Sequence, residues 1–280
     1  MPTSLNVAGR TDVGRTRPHN EDAFVIIDLA DPGRAWTGPV DVAGHRVVLA
    51  VSDGMGGHEA GEVASAIVID TLVKSLGAHV TDPPDHALEL AVREANQAVR
   101  AAAVAQDKVG MGATLTAILI DSDNAWIAEV GDSRAYLLRN GQLRQLTRDQ
   151  SFVQMLVDAG AITAEEAKTS PRKNVILQAI GTQPTLTAAI ARLLLRRGDR
   201  LLVCCDGLSN ELADAELATI LAEVDPVAAA EHAIAAANAH GGHDNITAII
   251  AHVDGDGIPA VAQGEHITAT YRVVQDFGKQ

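Results

Sequence analysis

Three apolar runs in this chain each meet glycine and a carboxylate at one end. Val47-Val48-Leu49-Ala50-Val51 leads through Ser52 into Asp53-Gly54-Met55-Gly56-Gly57-His58-Glu59-Ala60-Gly61-Glu62. Arg200-Leu201-Leu202-Val203-Cys204-Cys205 leads into Asp206-Gly207, and Gly241-Gly242-His243-Asp244-Asn245 stands immediately before the run Ile246 to Val253. A short apolar run of this kind predicts a buried strand, and its end fixes an acid in space while the glycines allow close backbone approach. Taken singly, each Asp-Gly pair is a common turn former. Turn formation does not explain why separate strands deliver an acid to glycine each time. With Glu21-Asp22 and Gly131-Asp132 added, the set predicts one oxygen-rich pocket.

Such a pocket needs a cation. Two carboxylates about 4 Å apart repel by roughly 4 kcal/mol at an effective dielectric near 20, so a gathered set cannot all stay ionised unassisted. All-oxygen donors, with no Cys or His pair at zinc spacing, favour Mg²⁺ or Mn²⁺.

At these positions the chain resembles the metal-dependent protein phosphatases, the type 2C serine/threonine family, in their short bacterial form. The matching segments run in the family's order through most of the chain. They are Asp12-Val13-Gly14-Arg15-Thr16-Arg17-Pro18-His19-Asn20-Glu21-Asp22, Asp53 to Glu62, Gly112-Ala113-Thr114-Leu115, and Gly131-Asp132-Ser133-Arg134. Further on come Leu146-Thr147-Arg148-Asp149-Gln150-Ser151, Ala179-Ile180-Gly181, Asp206-Gly207-Leu208, and Gly242-His243-Asp244-Asn245-Ile246-Thr247.

The resemblance implies a role for each matched residue. Asp53 would bridge two metal ions, with the carbonyl of Gly54 a ligand to one of them. Asp206 and Asp244 would hold the other, Glu21 would act through a bound water, and Asp22 would steady that water. Asp132, with Asp206, would hold a weaker third ion, and Arg17 would bind the phosphate. The implied cofactors are Mn²⁺ or Mg²⁺, two core ions and a third. The implied reaction is hydrolysis of phosphoserine or phosphothreonine in proteins by a water or hydroxide bridging the two core ions. A divalent ion lowers the pKa of bound water from about 15.7 toward about 7, and a guanidinium fork suits phosphoryl oxygens. Phosphorylated proteins are the implied partners, as products of an opposing serine/threonine kinase, with the kinase itself a further candidate. The alternative is a catalytically silent module that binds phosphoproteins.

One position departs from many eukaryotic relatives, which carry a histidine just after the Asp-Gly pair as a proposed general acid. Here Met55 stands there and cannot donate a proton. A metal-bound water is the first alternative donor, since bacterial relatives also carry Met. His58 is a weaker one, better read as capping or packing near the helix start. His243 reads as a loop residue at the edge of the pocket, with donation to Asp244 as the other reading.

Other phosphate chemistries lack their residues. No basic residue follows Cys204-Cys205 closely enough for a thiolate phosphatase, and adjacent strand cysteines point to opposite faces, so they read as filling rather than a disulfide. No nucleotide-binding Gly-x-x-x-x-Gly-Lys stretch and no Gly-x-Ser-x-Gly elbow occurs. Asp254-Gly255-Asp256-Gly257 lacks the later bidentate acid of a calcium loop and reads as a polar turn. The formal charge of -14 opposes binding to nucleic acid or anionic membrane. No signal-peptide core or membrane-length apolar segment is seen, and two cysteines without redox spacing suit a reducing compartment, so a cytoplasmic monomer is expected.

The 47% hydrophobic content supports one large core. Helical spacing predicts one helix from Glu59 to Leu76 and another after Pro83-Pro84 through Leu88, Val92, Ala95 and Val99. Strands are predicted at 113–120, 125–130 and 135–138, with a hairpin at Asn140-Gly141, and an alanine-rich helix from Pro226 to Ala239 stopped by Gly241-Gly242. Pattern alone gives an α+β domain. The resemblance implies a four-layer α/β/β/α sandwich, two stacked, mainly antiparallel sheets flanked by helices. The expected catalytic domain is 5–255, with a flap at about 147–174 that influences substrate choice. In the flap, 151–159 reads as a short helix and Thr163 to Glu166 as a capping box. Residues 256–280 are a tail or an added edge strand, with Ile267, Ala269, Tyr271 and Val273 alternating with polar neighbours.

Overall fold

The computed structural model describes residues 3–31, 38–42, 45–56, 60–108 and 110–277. In chain order the elements are β1 (Ser4–Asp12), β2 (Asp22–Asp28), β3 (Gly38–Asp41), β4 (Arg46–Met55), α1 (Ala60–Ala78), α2 (Pro84–Ala105), β5 (Gly112–Ala113), β6 (Leu115–Asp121), β7 (Asn124–Val130), β8 (Arg134–Arg139) and β9 (Gln142–Gln145). They continue with α3 (Phe152–Asp158), α4 (Ala164–Thr169), β10 (Ala189–Leu194), β11 (Arg200–Cys204), α5 (Asp206–Ser209), α6 (Asp214–Leu221), α7 (Pro226–His240), β12 (Ile246–Asp254), α8 (Ile267–Thr270) and β13 (Tyr271–Gln275).

One sheet has the order β3-β1-β12-β11-β8-β9 and the other β13-β10-β7-β6-β4-β2, with antiparallel neighbours throughout. Period-two alternation builds the layers. Along β4, Val47, Leu49 and Val51 face the other sheet, where they meet Leu5, Val7, Val203 and Ile249. Val48 and Ala50 face the opposite way, onto Val68 and Leu72 of α1 and Leu88 and Val92 of α2. In the other sheet Leu202, Cys204, Ala248 and Ile250 turn outward onto Leu217 and Leu221 of α6 and Ala229 and Ala233 of α7. Both faces of each central strand are thus apolar, which is why these strands read as unbroken hydrophobic runs. The result is the expected α/β/β/α arrangement.

Cys204 lies in the helix-facing layer and Cys205 between the sheets, both buried and free. Asn140 and Gly141, at φ of 51° and 73°, form the left-handed two-residue turn that joins β8 to β9. Asp225 caps α7 and Gly241, at φ of 141°, ends it. Ser151 caps α3, and Thr163 and Glu166 form a reciprocal capping box on α4.

The C-terminal segment departs from the simple alternation. Ile267–Thr270 is a helical turn, and the strand begins only at Tyr271, pairing with β10 at the sheet edge. Its hold on the body is chemical: Ile258 and Ile267 enter the inter-sheet core, and Tyr271 Oη donates to Leu146 O at 2.5 Å. Thr270 Oγ1 accepts from Arg139 Nη1 at 2.7 Å beside the buried Arg139–Asp199 ion pair. Among the described residues, no helix is long and apolar enough to cross a membrane.

Candidate metal centre

The two sheets end together at one side of the sandwich. Asp53, near the end of β4, is the register partner of Asp22 at the start of β2. Asp206 opens α5 directly after β11, and Asp244 lies two residues before β12, the neighbour of β11.

Backbone packing there leaves no room for side chains. A Cβ on Gly54 would lie 2.1 Å from Gly61 O and 2.6 Å from Glu21 O, and one on Gly207 would lie 2.0 Å from Asn245 O. These glycines are required by close approach, so the strand ends and the loop carrying Glu21 can touch. Gly54 N donates to Glu21 O at 3.1 Å. Asp53 is fixed through its backbone: its N–H donates to Thr114 Oγ1 at 2.9 Å, and Thr114 N donates to Asp53 O at 2.8 Å. Thr114 Oγ1 also meets Ser133 Oγ at 2.7 Å, beside Asp132.

The acids feel one another strongly. Burial, then Asp22, Asp206, Asp132 and Asp244, push the Asp53 carboxyl well above its usual range. Burial raises Asp22 to about 7, against the hydrogen bond from Thr247 and with further upward pressure from Asp206 and Asp244. Asp206 is raised by burial and Asp244, and Asp132 by burial, Asp206 and Asp149. Crowded carboxylates of this kind favour a cation or a shared proton.

Hydrogen bonds show what each acid holds. Asp22 Oδ2 accepts from Thr247 Oγ1 at 2.6 Å, while its Oδ1 is buried with no hydrogen-bond partner. Asp206 Oδ2 accepts from Asn210 Nδ2 at 3.0 Å. Asp244 Oδ1 accepts from Asn245 N at 2.9 Å and Oδ2 from Arg17 Nη2 at 2.7 Å. Arg17 has partial burial pulling its pKa down, but Asp244, Glu21 and Asp53 outweigh this and raise it. Glu21 reaches the same place, since a Cβ on Gly61 would lie 2.8 Å from Glu21 Oε1. Among the described residues, no group of three His, Cys, Asp or Glu side chains is already set to hold a metal ion. Asp244 is turned to Arg17 and Asp22 to Thr247, so the acids converge without being closed on a common point. The donor chemistry still fits a hard divalent cation, with oxygens throughout and one orphaned carboxylate oxygen.

The His243 side chain stands apart from this. His243 Nδ1 meets Glu211 Oε1 at 2.7 Å on an exposed loop, so its partner is Glu211 and the alternative of donation to Asp244 is not realised. His58 lies outside the described residues. Burial pushes the Cys204 thiol up to about 12 and Cys205 well above its usual range, which keeps both thiols neutral.

Asn245, which the sequence shows only as one member of a matching segment, organises the site. Its Oδ1 accepts from Glu21 N at 2.8 Å, and its Nδ2 donates to Val13 O and His19 O, each at 2.9 Å. One buried amide therefore pins the loop bearing Arg17 and Glu21 to the strand beside Asp244. Its only signal in sequence is an amide placed between an acid and a buried strand. The roles of Thr114 and Thr247 are as poorly signalled, because a threonine in or beside a strand reads as ordinary β filling.

The family model for Protein phosphatase 2C matches residues 35–239. The chain is 40% identical over 258 residues to serine/threonine protein phosphatase PstP of Mycobacterium tuberculosis, covering 89% of this chain and 45% of that protein. It therefore spans about half the length of that relative. It is 35% identical over 247 residues to serine/threonine phosphatase stp of Listeria innocua, covering 86% of this chain and 93% of that protein. A crystal structure of the catalytic domain of serine threonine protein phosphatase PstP with two manganese ions superposes with a TM-score of 0.76 at 37% identity, covering 90% of this chain and all of that one. With two stacked antiparallel sheets, their acids gathered at one end, and these matches along most of its length, the chain belongs to the protein phosphatase 2C family.

Proposed function

We propose that this chain is a metal-dependent serine/threonine protein phosphatase that hydrolyses phosphoserine and phosphothreonine in cytosolic proteins, opposing a kinase. The observation that carries the reading is the meeting of strand ends: Asp53 is the register partner of Asp22, a Cβ on Gly54 would strike Glu21 O, and burial, then Asp22, Asp206, Asp132 and Asp244, raise the Asp53 carboxyl. Those four acids arrive from distant parts of the sequence, and their convergence would offer oxygen donors to divalent ions from several sides.

In this reading Mn²⁺ or Mg²⁺ supplies a nucleophilic hydroxide near neutral pH and neutralises phosphoryl charge. Asp53, the Gly54 carbonyl, Asp206 and Asp244 would hold the core ions, and Asp132 with Asp206 would hold a third. Glu21 and Asp22 would act through water, with Thr247 Oγ1 orienting Asp22. Arg17 now pairs with Asp244; with an ion at Asp244 the guanidinium would be free to receive phosphoryl oxygens through its planar fork. The segment 147–174 selects among phosphoproteins. We assign the catalytic unit to 5–255, with 256–280 carrying an added edge strand, β13 on β10, and a monomer in solution.

The test is release of phosphate from a phosphothreonine peptide with manganese. Activity lost with a chelator and in Asp53→Asn supports the reading; no release with any divalent ion replaces it with the silent phosphoprotein-binding module.

A further inference from the structure

The segment after Gln150 leaves the domain body and returns to it at one joint, with the Arg148–Asp158 ion pair as a further tie. Gln150 N donates to Gly131 O at 2.8 Å, Leu177 N donates to Gln150 O at 2.7 Å, and Phe152 N donates to Val175 O at 2.7 Å. Two buried carboxamides fill this joint: Gln150 is 2% exposed and Gln178 is 4% exposed. Gln150 Oε1 accepts from Gly131 N at 2.9 Å and from Gln178 Nε2 at 3.1 Å, and Gln150 Nε2 donates to Glu129 O at 3.2 Å. Gln178 then pairs with both backbone groups of Thr187, its Nε2 donating to Thr187 O at 2.8 Å and its Oε1 accepting from Thr187 N at 3.0 Å.

Buried amides are costly unless every group is matched, and a matched network is stiff. Here one oxygen, Gln150 Oε1, is shared between Gly131 N, beside Asp132, and the side chain that holds the returning segment. The joint has little slack on its inner side. Gly131 has φ of +105°, and a Cβ there would lie 2.7 Å from Thr114 Cγ2, on the residue whose hydroxyl accepts from Asp53 N. A shift of either end of the outer segment is therefore felt at Gly131, and a shift at Gly131 is felt at both ends.

We propose that Gln150 and Gln178 are positioning residues that lock both ends of the 151–176 segment to the Gly131-Asp132 peptide, so that phosphopeptide recognition and the placement of Asp132 move together. This rests on the reading of Asp132 as a metal ligand and of the segment as selecting substrate. Gln178 touches neither Gly131 nor Asp132, so a response there to its loss is transmitted through Gln150.

Gln178→Met keeps the length and apolar volume and removes the amide. Amide hydrogen exchange by mass spectrometry on the full chain is expected to quicken by about tenfold both in 151–176 and in 129–134. KM for a phosphothreonine peptide is expected to rise about tenfold, equivalent to about 1.4 kcal/mol, with kcat within about twofold. Faster exchange confined to 177–189, or an unchanged KM, overturns the proposal. Gln150→Met, which removes the shared oxygen itself, should give the same pattern more strongly; a milder effect than Gln178→Met also overturns it. Manganese calorimetry on Asp132→Asn judges the ligand reading separately: unchanged binding removes that reading, while the exchange result still decides whether the clamp exists.

Discussion

Asn245→Ala tests how the loop bearing Arg17 and Glu21 is held. The substitution removes three hydrogen bonds, from Glu21 N and to Val13 O and His19 O, each between 2.8 and 2.9 Å. The side chain is 5% exposed, so water replaces these bonds poorly. At about 1 kcal/mol each the loss is about 3 kcal/mol. If this energy holds the loop, the population with Arg17 and Glu21 in place falls by up to about a hundredfold. Steady-state kinetics on a phosphothreonine peptide, run well below the melting temperature, should then show kcat/KM lower by tenfold to about a hundredfold. Calorimetry should show Tm lower by about 5–10 °C. Asn245→Asp keeps the acceptor for Glu21 N, loses both donors and adds charge among the acids, so it is expected to do no better than alanine. Wild-type kcat/KM within threefold, together with an unchanged Tm, would refute the claim that this amide organises the site.

Three further outcomes are expected. Arg17→Lys should raise KM for the phosphopeptide, because an ammonium lacks the fork of a guanidinium; unchanged kinetics would count against the phosphate role. Gly207→Ala, whose Cβ would lie 2.0 Å from Asn245 O, should destroy activity and lower Tm sharply, whereas Gly77→Ala on the exposed face of α1, where an added Cβ meets nothing, should raise stability by about 0.5–1 kcal/mol; denaturant melts of the pair check both. Burial and the neighbouring Arg200 push His252 down to about 4 from 6.5. Between those values the unfolded chain binds a proton that the native side chain refuses, so this residue lowers stability as pH falls from about 6.5 to about 4 and has no effect above. Replacing it by Gln should flatten the stability profile in that window alone, and an unchanged slope would disprove the assignment.

Much of this architecture is legible along the chain because period and punctuation are local properties. Val47 to Val51 is apolar at every position since β4 is covered by a sheet on one face and helices on the other, and the same reasoning placed α1, α2, α7 and the Asn140-Gly141 hairpin. The acids were legible too, because each sits beside glycine at the end of an apolar run. The tail was read less well: an alternation beginning at Ile267 is interrupted by a helical turn, since Thr270 is drawn to Arg139 and Ile267 into the core. Local pattern cannot anticipate a partner supplied from far along the chain.

By itself, then, the sequence determined which faces are buried, where strands stop, and which acids stand at their ends, because these follow from side-chain periodicity and from the conformational freedom of glycine. Which acid meets which partner is set by packing in three dimensions. Arg17 faces Asp244, Thr247 faces Asp22, Asn245 ties Glu21 to β12, and Gln178 reaches Gln150. The stacking of two sheets and the register of antiparallel strands set those distances, bringing together groups separated by more than two hundred residues at the pocket.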